Sequence, residues 1–202
     1  MIWRLSDNLE ERRSRLLDEG YDAYCIFSRS GNEFDIIREQ NRLHEEVLVL
    51  PFLRLKHLCR KGVRSTEQEN ILPGYVFLFL PKGMDVSCIR PSLTGFRILR
   101  SEENPTGLLK GSDLKYAEWV LTTGGVLGMS KAIRKNGRVK IVSGPLFSLE
   151  GKIVEYSPRS RSCRVEVELF NRIVSTWLPF EYVETIENKT EEDKTKEDKK
   201  TK

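Results

Sequence analysis

The chain has 202 residues, 39% of them apolar and 32% charged, with a net charge of +4. That balance describes a soluble globular protein of one or two domains with a well-hydrated surface. No apolar run approaches the roughly 18–20 residues needed to cross a bilayer, and Met1-Ile2-Trp3-Arg4 leads into the charged stretch LSDNLEERRSRLLDEG rather than an apolar signal core. A cytoplasmic protein with no membrane partner is expected. Residues 1–20 read as an N-terminal extension. Leu5, Leu9, Leu16 and Leu17 lie loosely at helical spacing and Gly20 suits a C-cap, which fits either an amphipathic helix docked on the next domain or a frayed extension.

An α+β domain is expected over residues 21–128. Asp22 to Phe27 reads as a strand, Ser28 to Gly31 as a turn, and Asn32 as the cap of a helix containing Phe34, Ile36, Ile37 and Leu43. Glu46 to Pro51 reads as a second strand ended by its proline. Phe52 to Leu58 extends into a basic turn around Arg60-Lys61-Gly62. The next strand, Gly74 to Leu80, is apolar on both faces, with Tyr75, Phe77 and Phe79 on one side and Val76, Leu78 and Leu80 on the other. Such a strand is normally covered on both sides. With about two substantial helices available, one face is either left as an aromatic groove for a partner or covered by loops and the N-terminal helix. Ser112-Asp113 would cap a helix with Leu114, Ala117, Trp119, Val120 and Leu121, stopped by Gly124-Gly125.

Residues 129–136 read as a linker. From 137 to 186 about five short strands are expected to form a small, curled antiparallel barrel. Its first two runs, Val139 to Val142 and Lys152 to Tyr156, are punctuated by Gly137, Gly144 and Gly151, with Ser143-Gly144-Pro145 as a turn. Cys163 to Leu169 alternates cleanly, and Ile173 to Leu178 and Tyr182-Val183 complete the set. Ten basic residues stand against six acids between Met129 and Thr185. Lys131, Arg134, Lys135, Arg138 and Lys140 cluster, and Arg159, Arg161 and Arg164 come from a nearby hairpin. Such groups neutralise phosphates, which makes RNA a candidate ligand; the alternative is a solubilising surface. Residues 187–202 carry six acids, six lysines and no apolar residue, the composition of a disordered charged tail.

Residues 137–156, with Gly144-Pro145-Leu146 followed by Gly151, resemble the KOW motif of bacterial transcription factors and some ribosomal proteins. Upstream, Ile71-Leu72-Pro73-Gly74-Tyr75-Val76-Phe77 resembles the PGYV signature of the NusG family. The surrounding order is similar too: an aromatic-containing first strand, a helix, a strand ending in proline, and Ile89-Arg90 ahead of Gly95-Phe96. The likeness covers residues 22–185. Ala23-Tyr24 stands where the family usually has tryptophan-tyrosine, and this, with the extension and the tail, suggests a specialised paralogue. Leu109 to Trp119 and Gly125 to Lys131 look similar to the LoaP subgroup of antiterminators.

The resemblance implies an N-terminal NGN-type antiparallel sheet with helices, followed by an SH3-like KOW β-barrel. It implies a monomeric transcription elongation or antitermination factor without cofactor or metal, whose N-terminal domain docks an apolar groove on the clamp helices of RNA polymerase. By motif position Leu72 and Tyr75 would line that groove, with Phe27 and Phe77 as neighbours; core packing is the equal alternative for Phe77. For the barrel the resemblance implies contacts to a nascent RNA hairpin, read by shape and backbone, or to a ribosomal protein or termination factor through Leu146, Phe147 and the Phe170-Asn171-Arg172 turn.

Other classes fit less well. His44 and His57 are the only histidines and sit in charged or amphipathic stretches without a serine or cysteine partner motif, so no hydrolytic triad is expected. Leu109-Lys110-Gly111-Ser112 lacks the first glycine of a phosphate-binding loop. Cys25, Cys59, Cys88 and Cys163 are far apart, form no CxxC pair, and read as core thiols. An RNA-binding or ribosome-associated KOW protein is the competing reading.

Overall fold

The computed structural model describes residues 2–60, 63–89, 95–135, 138–169 and 172–183. In chain order its first elements are α1 (Asp7–Glu19), β1 (Tyr21–Ser28), α2 (Glu33–Leu43), β2 (Leu48–Leu50), β3 (Leu53–Arg60), β4 (Val63–Asn70), β5 (Tyr75–Pro81), β6 (Phe96–Ile98) and α3 (Gly111–Thr122). After these come β7 (Val126–Leu127), β8 (Ser130–Lys135), β9 (Arg138–Ser143), β10 (Ile153–Ser157), β11 (Ser162–Leu169) and β12 (Arg172–Tyr182). The chain divides into two compact units. One runs to Gly128 and includes Glu166–Thr176; the other comprises Met129–Val165 and the chain from Trp177.

The first unit is built on a four-stranded sheet in the order β2-β5-β1-β6. β5 pairs antiparallel with β1, so Tyr24 faces Leu78, Cys25 faces Phe77 and Phe27 faces Tyr75. Because side chains alternate along a strand, these pairs sort the sheet into two apolar faces. Tyr24, Ile26, Val49, Val76, Leu78 and Leu80 form one core with Ile36 and Ile37 of α2. On the other face Phe77 and Phe79 are fully buried. Phe52 stacks edge-on against Phe77 at 5.8 Å and against Trp119 of α3 at 6.2 Å. The aromatic face is therefore covered along β5 rather than open as a groove, and α3 with Phe52 supplies the cover.

The N-terminal extension is docked. α1 buries Leu16 and, less expectedly, Arg12. The Arg12 guanidinium donates to the carbonyls of Asn41 at 2.9 Å, His44 at 2.7 Å and Val47 at 3.2 Å. These oxygens lie at and beyond the C-terminus of α2, where helical carbonyls lack internal partners and the dipole attracts cations. Ahead of α1, Trp3 exchanges hydrogen bonds with Gln68 of β4 and donates its indole N–H to Gly124 O at 3.1 Å.

Two elements depart from the sequence reading. The stretch after Arg60 is strand β4, paired antiparallel with β3 from Leu53↔Asn70 to Arg60↔Val63. Arg54 and Lys56 of β3 both bond Glu69 of β4, and the Arg54 hydrogen bond holds the Glu69 carboxyl below its usual range. β3 also pairs parallel with β7. In the second unit, most of the segment expected as linker is strand β8, paired antiparallel with β9 and parallel with β12 through Phe180↔Ser130. The five strands run β10-β11-β12-β8-β9, and β12 is one strand where two were expected. Residues 187–202, Gly137 and the Phe170-Asn171 turn lie outside the described residues.

The Ser143-Gly144-Pro145 turn holds this sheet to its own first strand. Gly144 sits at φ +89°, and an added Cβ would lie 2.7 Å from Ser130 Cα and 3.0 Å from Met129 O. The buried Ser130 hydroxyl accepts the Leu146 N–H at 2.9 Å. Gly144→Ala is expected to lower stability by about 2–3 kcal/mol, combining positive-φ strain with a clash against backbone. Faster hydrogen exchange at the β8 and β9 amides, with those of β1 and β5 unchanged, is the measurement that checks it.

Candidate functional site

One rung of the sheet brings the sequence-selected aromatics together. Phe27 of β1 lies between Tyr75 of β5 and Arg97 of β6 by register. The Phe27 and Tyr75 rings are 5.0 Å apart and tilted by 55°. The exposed Arg97 guanidinium stands 5.0 Å from the Phe27 ring centroid, a cation–π contact. Phe27, Tyr75 and Leu72 are all half-buried, and the Tyr75 N–H donates to Leu72 O at 3.2 Å across the turn before β5. Leu72, Phe27 and Tyr75 thus retain surface for a partner. Phe77, two residues along the same face, does not. It is the correction to the expected contact set, and its role is to fill the space between the sheet, Phe52 and α3.

The turn ahead of Tyr75 is held from three sides. Gly74 sits at φ +88°, and a Cβ there would meet Ser28 O at 3.0 Å and the Phe27 ring at 3.5 Å. Gly74 O accepts from Ser28 N at 2.8 Å. Its N–H donates at 2.6 Å to Oε1 of Glu33, whose Oε2 accepts from Gly31 N at 2.6 Å. Glu33 is only 3% exposed. Glu33 and Arg97 break no periodic pattern, and their long-range partners, Gly74 and Phe27, meet them only in the fold.

The basic residues fall into two groups. Lys131, Arg134 and Lys140 are exposed on the β8–β9 hairpin, with the Arg134 guanidinium 5.4 Å from the Tyr182 ring; Lys135 and Arg138 pair at its end. Ala132 and Ile141, which also face each other, are fully buried. Arg159 and Arg161 are exposed in the β10–β11 turn, while Arg164 is 3.0 Å from Glu155 and partly neutralised by it. The sheet order sets these hairpins at opposite ends.

Of the expected apolar contacts in this unit, Leu146 is fully buried and Phe147 is 56% exposed. Full burial corrects Leu146 from contact to core. Phe170 lies outside the described residues, and Arg172 is placed only as the start of β12. Val154 and Tyr156 in this unit, and Ile173 in the Glu166–Thr176 segment of the first, are further exposed apolar residues that alternation does not single out. Alternation alone could not expose Val154, since a register shift between Ile153 and Glu155 sets it outside the ladder.

Of the two histidines, His57 has a backbone place in β3 and its side chain lies outside the described residues. His44 is the C-cap of α2, bonded through its backbone to Gln40 and Arg12. Burial pushes the Cys25 thiol well above its ordinary range and the Cys163 thiol up to about 12, so both behave as core hydrophobes. Cys88, expected in the core, is exposed. Among the described residues no cluster of three or more His, Cys, Asp or Glu is placed to hold a metal ion, and no helix is long and apolar enough to cross a membrane.

No family model matches the chain. A solved structure described as domain interaction in Thermotoga maritima NusG aligns with 79% of this chain and 93% of that one, at a TM-score of 0.42 and 19% identity. The transcription termination/antitermination protein NusG of Thermus thermophilus is 24% identical over 150 residues, which is 67% of this chain and 78% of that protein. Over two thirds of its length, then, the chain is similar in sequence to a NusG protein.

Proposed function

We propose that this chain is a non-catalytic transcription elongation and antitermination factor that binds RNA polymerase through the surface of Phe27, Leu72 and Tyr75. The observation that carries the reading is the half-buried Phe27–Tyr75 pair, where β1 meets the start of β5 just after the Pro73-Gly74 turn, in a chain similar to NusG over 150 residues. An aromatic pair beside a leucine, fixed on a sheet rather than a mobile loop, suits docking on an apolar helical surface such as the polymerase clamp helices. A factor that prefers the closed clamp stabilises that state by its differential affinity and so disfavours pausing and termination. Capture of elongating polymerase by the full chain tests this. Tyr75→Asp would bury a carboxylate in the contact and is expected to weaken capture at least about tenfold. Equal capture by the variant rejects the surface, and no capture by the folded wild type rejects the function.

The second unit, read as a KOW barrel, is proposed to hold nascent RNA. The exposed cations of β8–β9 support this, and the narrower likeness to LoaP rests on residues 109–119 and 125–131 of the sequence alone. Three or four phosphate contacts predict RNA affinity falling about tenfold to a hundredfold between roughly 50 and 200 mM salt, read by gel shift with leader RNA. A flat salt response excludes this mode. Salt-insensitive binding to a ribosomal protein through Phe147 would assign the unit to the other partner class.

A further inference from the structure

We propose that the Glu33 carboxylate is the latch that positions the docking surface, an inference that rests on the polymerase-binding reading above. A buried carboxylate is costly unless fully hydrogen-bonded. Here both oxygens are used, and the two donors come from separate parts of the chain: Gly31 in the turn after β1 and Gly74 in the turn before β5. The two amides are bridged by a single charged group at 2.6 Å each, the short geometry of charge-assisted bonds.

The bridge acts on the recognition residues through Gly74, whose two flanking peptides are both held: the Pro73–Gly74 peptide by Glu33 and the Gly74–Tyr75 peptide by Ser28. Glu33 fixes the Gly74 N–H, Ser28 fixes the Gly74 carbonyl, and the positive φ of Gly74 aims the chain into β5. Rotation about the Gly74 backbone would move Tyr75 relative to the Phe27 ring and strain the Tyr75 N–H bond to the Leu72 carbonyl. Glu33 itself is too buried to reach a partner. It is a positioning residue, and it makes the surface rigid before docking, which lowers the entropy lost on association.

Glu33→Gln is the test, because glutamine keeps the shape but turns one acceptor into a donor facing an amide donor. In isotope-labelled full-length protein, the Gly31 and Gly74 amides should exchange at least about a hundredfold slower than in an unfolded chain. In the variant both resonances should shift and exchange faster. Polymerase affinity should fall about tenfold, and that loss should shrink to less than about twofold in a Tyr75→Leu background, because the two residues act as one unit. Unprotected Gly31 and Gly74 amides in the wild type overturn the latch, as does a Glu33→Gln loss that persists in full beside Tyr75→Leu. If Glu33→Gln does not fold, wild-type exchange decides the matter. If the folded wild type does not bind polymerase, the docking reading fails, while the amide data still support or overturn the latch.

Discussion

Replacing Phe77 by alanine is expected to lower the stability of the first unit by about 3–5 kcal/mol, the range for truncating a buried phenylalanine. Phe77 is fully buried and meets Phe52 edge-on, and Phe52 in turn meets Trp119. The substitution therefore opens a cavity at the β5 end of an aromatic chain that runs through Phe52 of the β2–β3 connection to α3. Urea unfolding followed by β5 amide exchange measures the loss. Polymerase capture by the variant should track only its folded fraction. A folded, stable Phe77→Ala protein that no longer captures polymerase would return Phe77 to the contact set. Tyr75, half-buried at the edge of the same face, should show the opposite pattern: small changes in stability, large changes in capture.

The second large effect is expected at Arg12. Arg12→Met retains the length and apolar stem of the side chain but leaves three carbonyls, of Asn41, His44 and Val47, without their donor. The expected cost is about 3 kcal/mol, since hydrogen bonds to charged groups contribute more than neutral ones and buried acceptors left unpaired are penalised. Asn41 makes the site more sensitive still. Its side chain donates to Val49 O at 2.9 Å and accepts from Val49 N at 2.8 Å, continuing the edge of β2. A slackened α2 C-terminus therefore loosens the sheet edge. Arg15→Ala, at an exposed position of the same helix, is the control and should stay within about 0.5 kcal/mol. Equal effects at Arg12 and Arg15 in urea unfolding would show that α1 is not anchored through this contact.

The parts of the fold legible in the sequence are those whose burial is written as a period. β1, α2, β5 and α3 each carry enough apolar residues at the right spacing to declare both type and extent. β4 was illegible because Val63–Asn70 is almost wholly polar; it is a strand because β3 pairs with it, and pairing partners leave no local mark. β8 was missed for a related reason, having only Ala132 and Ile133 as apolar residues, although Asn136-Gly137 after it is a recognised two-residue hairpin signal. At the candidate site, motif position selects Leu72 and Tyr75, and strand alternation adds Phe27 and Phe77 as neighbours. Alternation could not separate Phe77 from Tyr75, because both point to one face and only the placement of Phe52 and Trp119 decides which is covered. Arg12 and Glu33 show the sharpest limit. Each is a charged residue with backbone partners far along the chain, Asn41, His44 and Val47 for Arg12 and Gly74 for Glu33, and spacing carries no trace of these.

The measurement that bears most directly on the function is transcription by purified elongating RNA polymerase through a terminator, downstream of candidate leader sequences, with the full chain titrated in. Readthrough that rises with the wild-type protein and does not rise with Tyr75→Asp is the predicted result. Termination left unchanged by saturating, folded wild-type protein contradicts it.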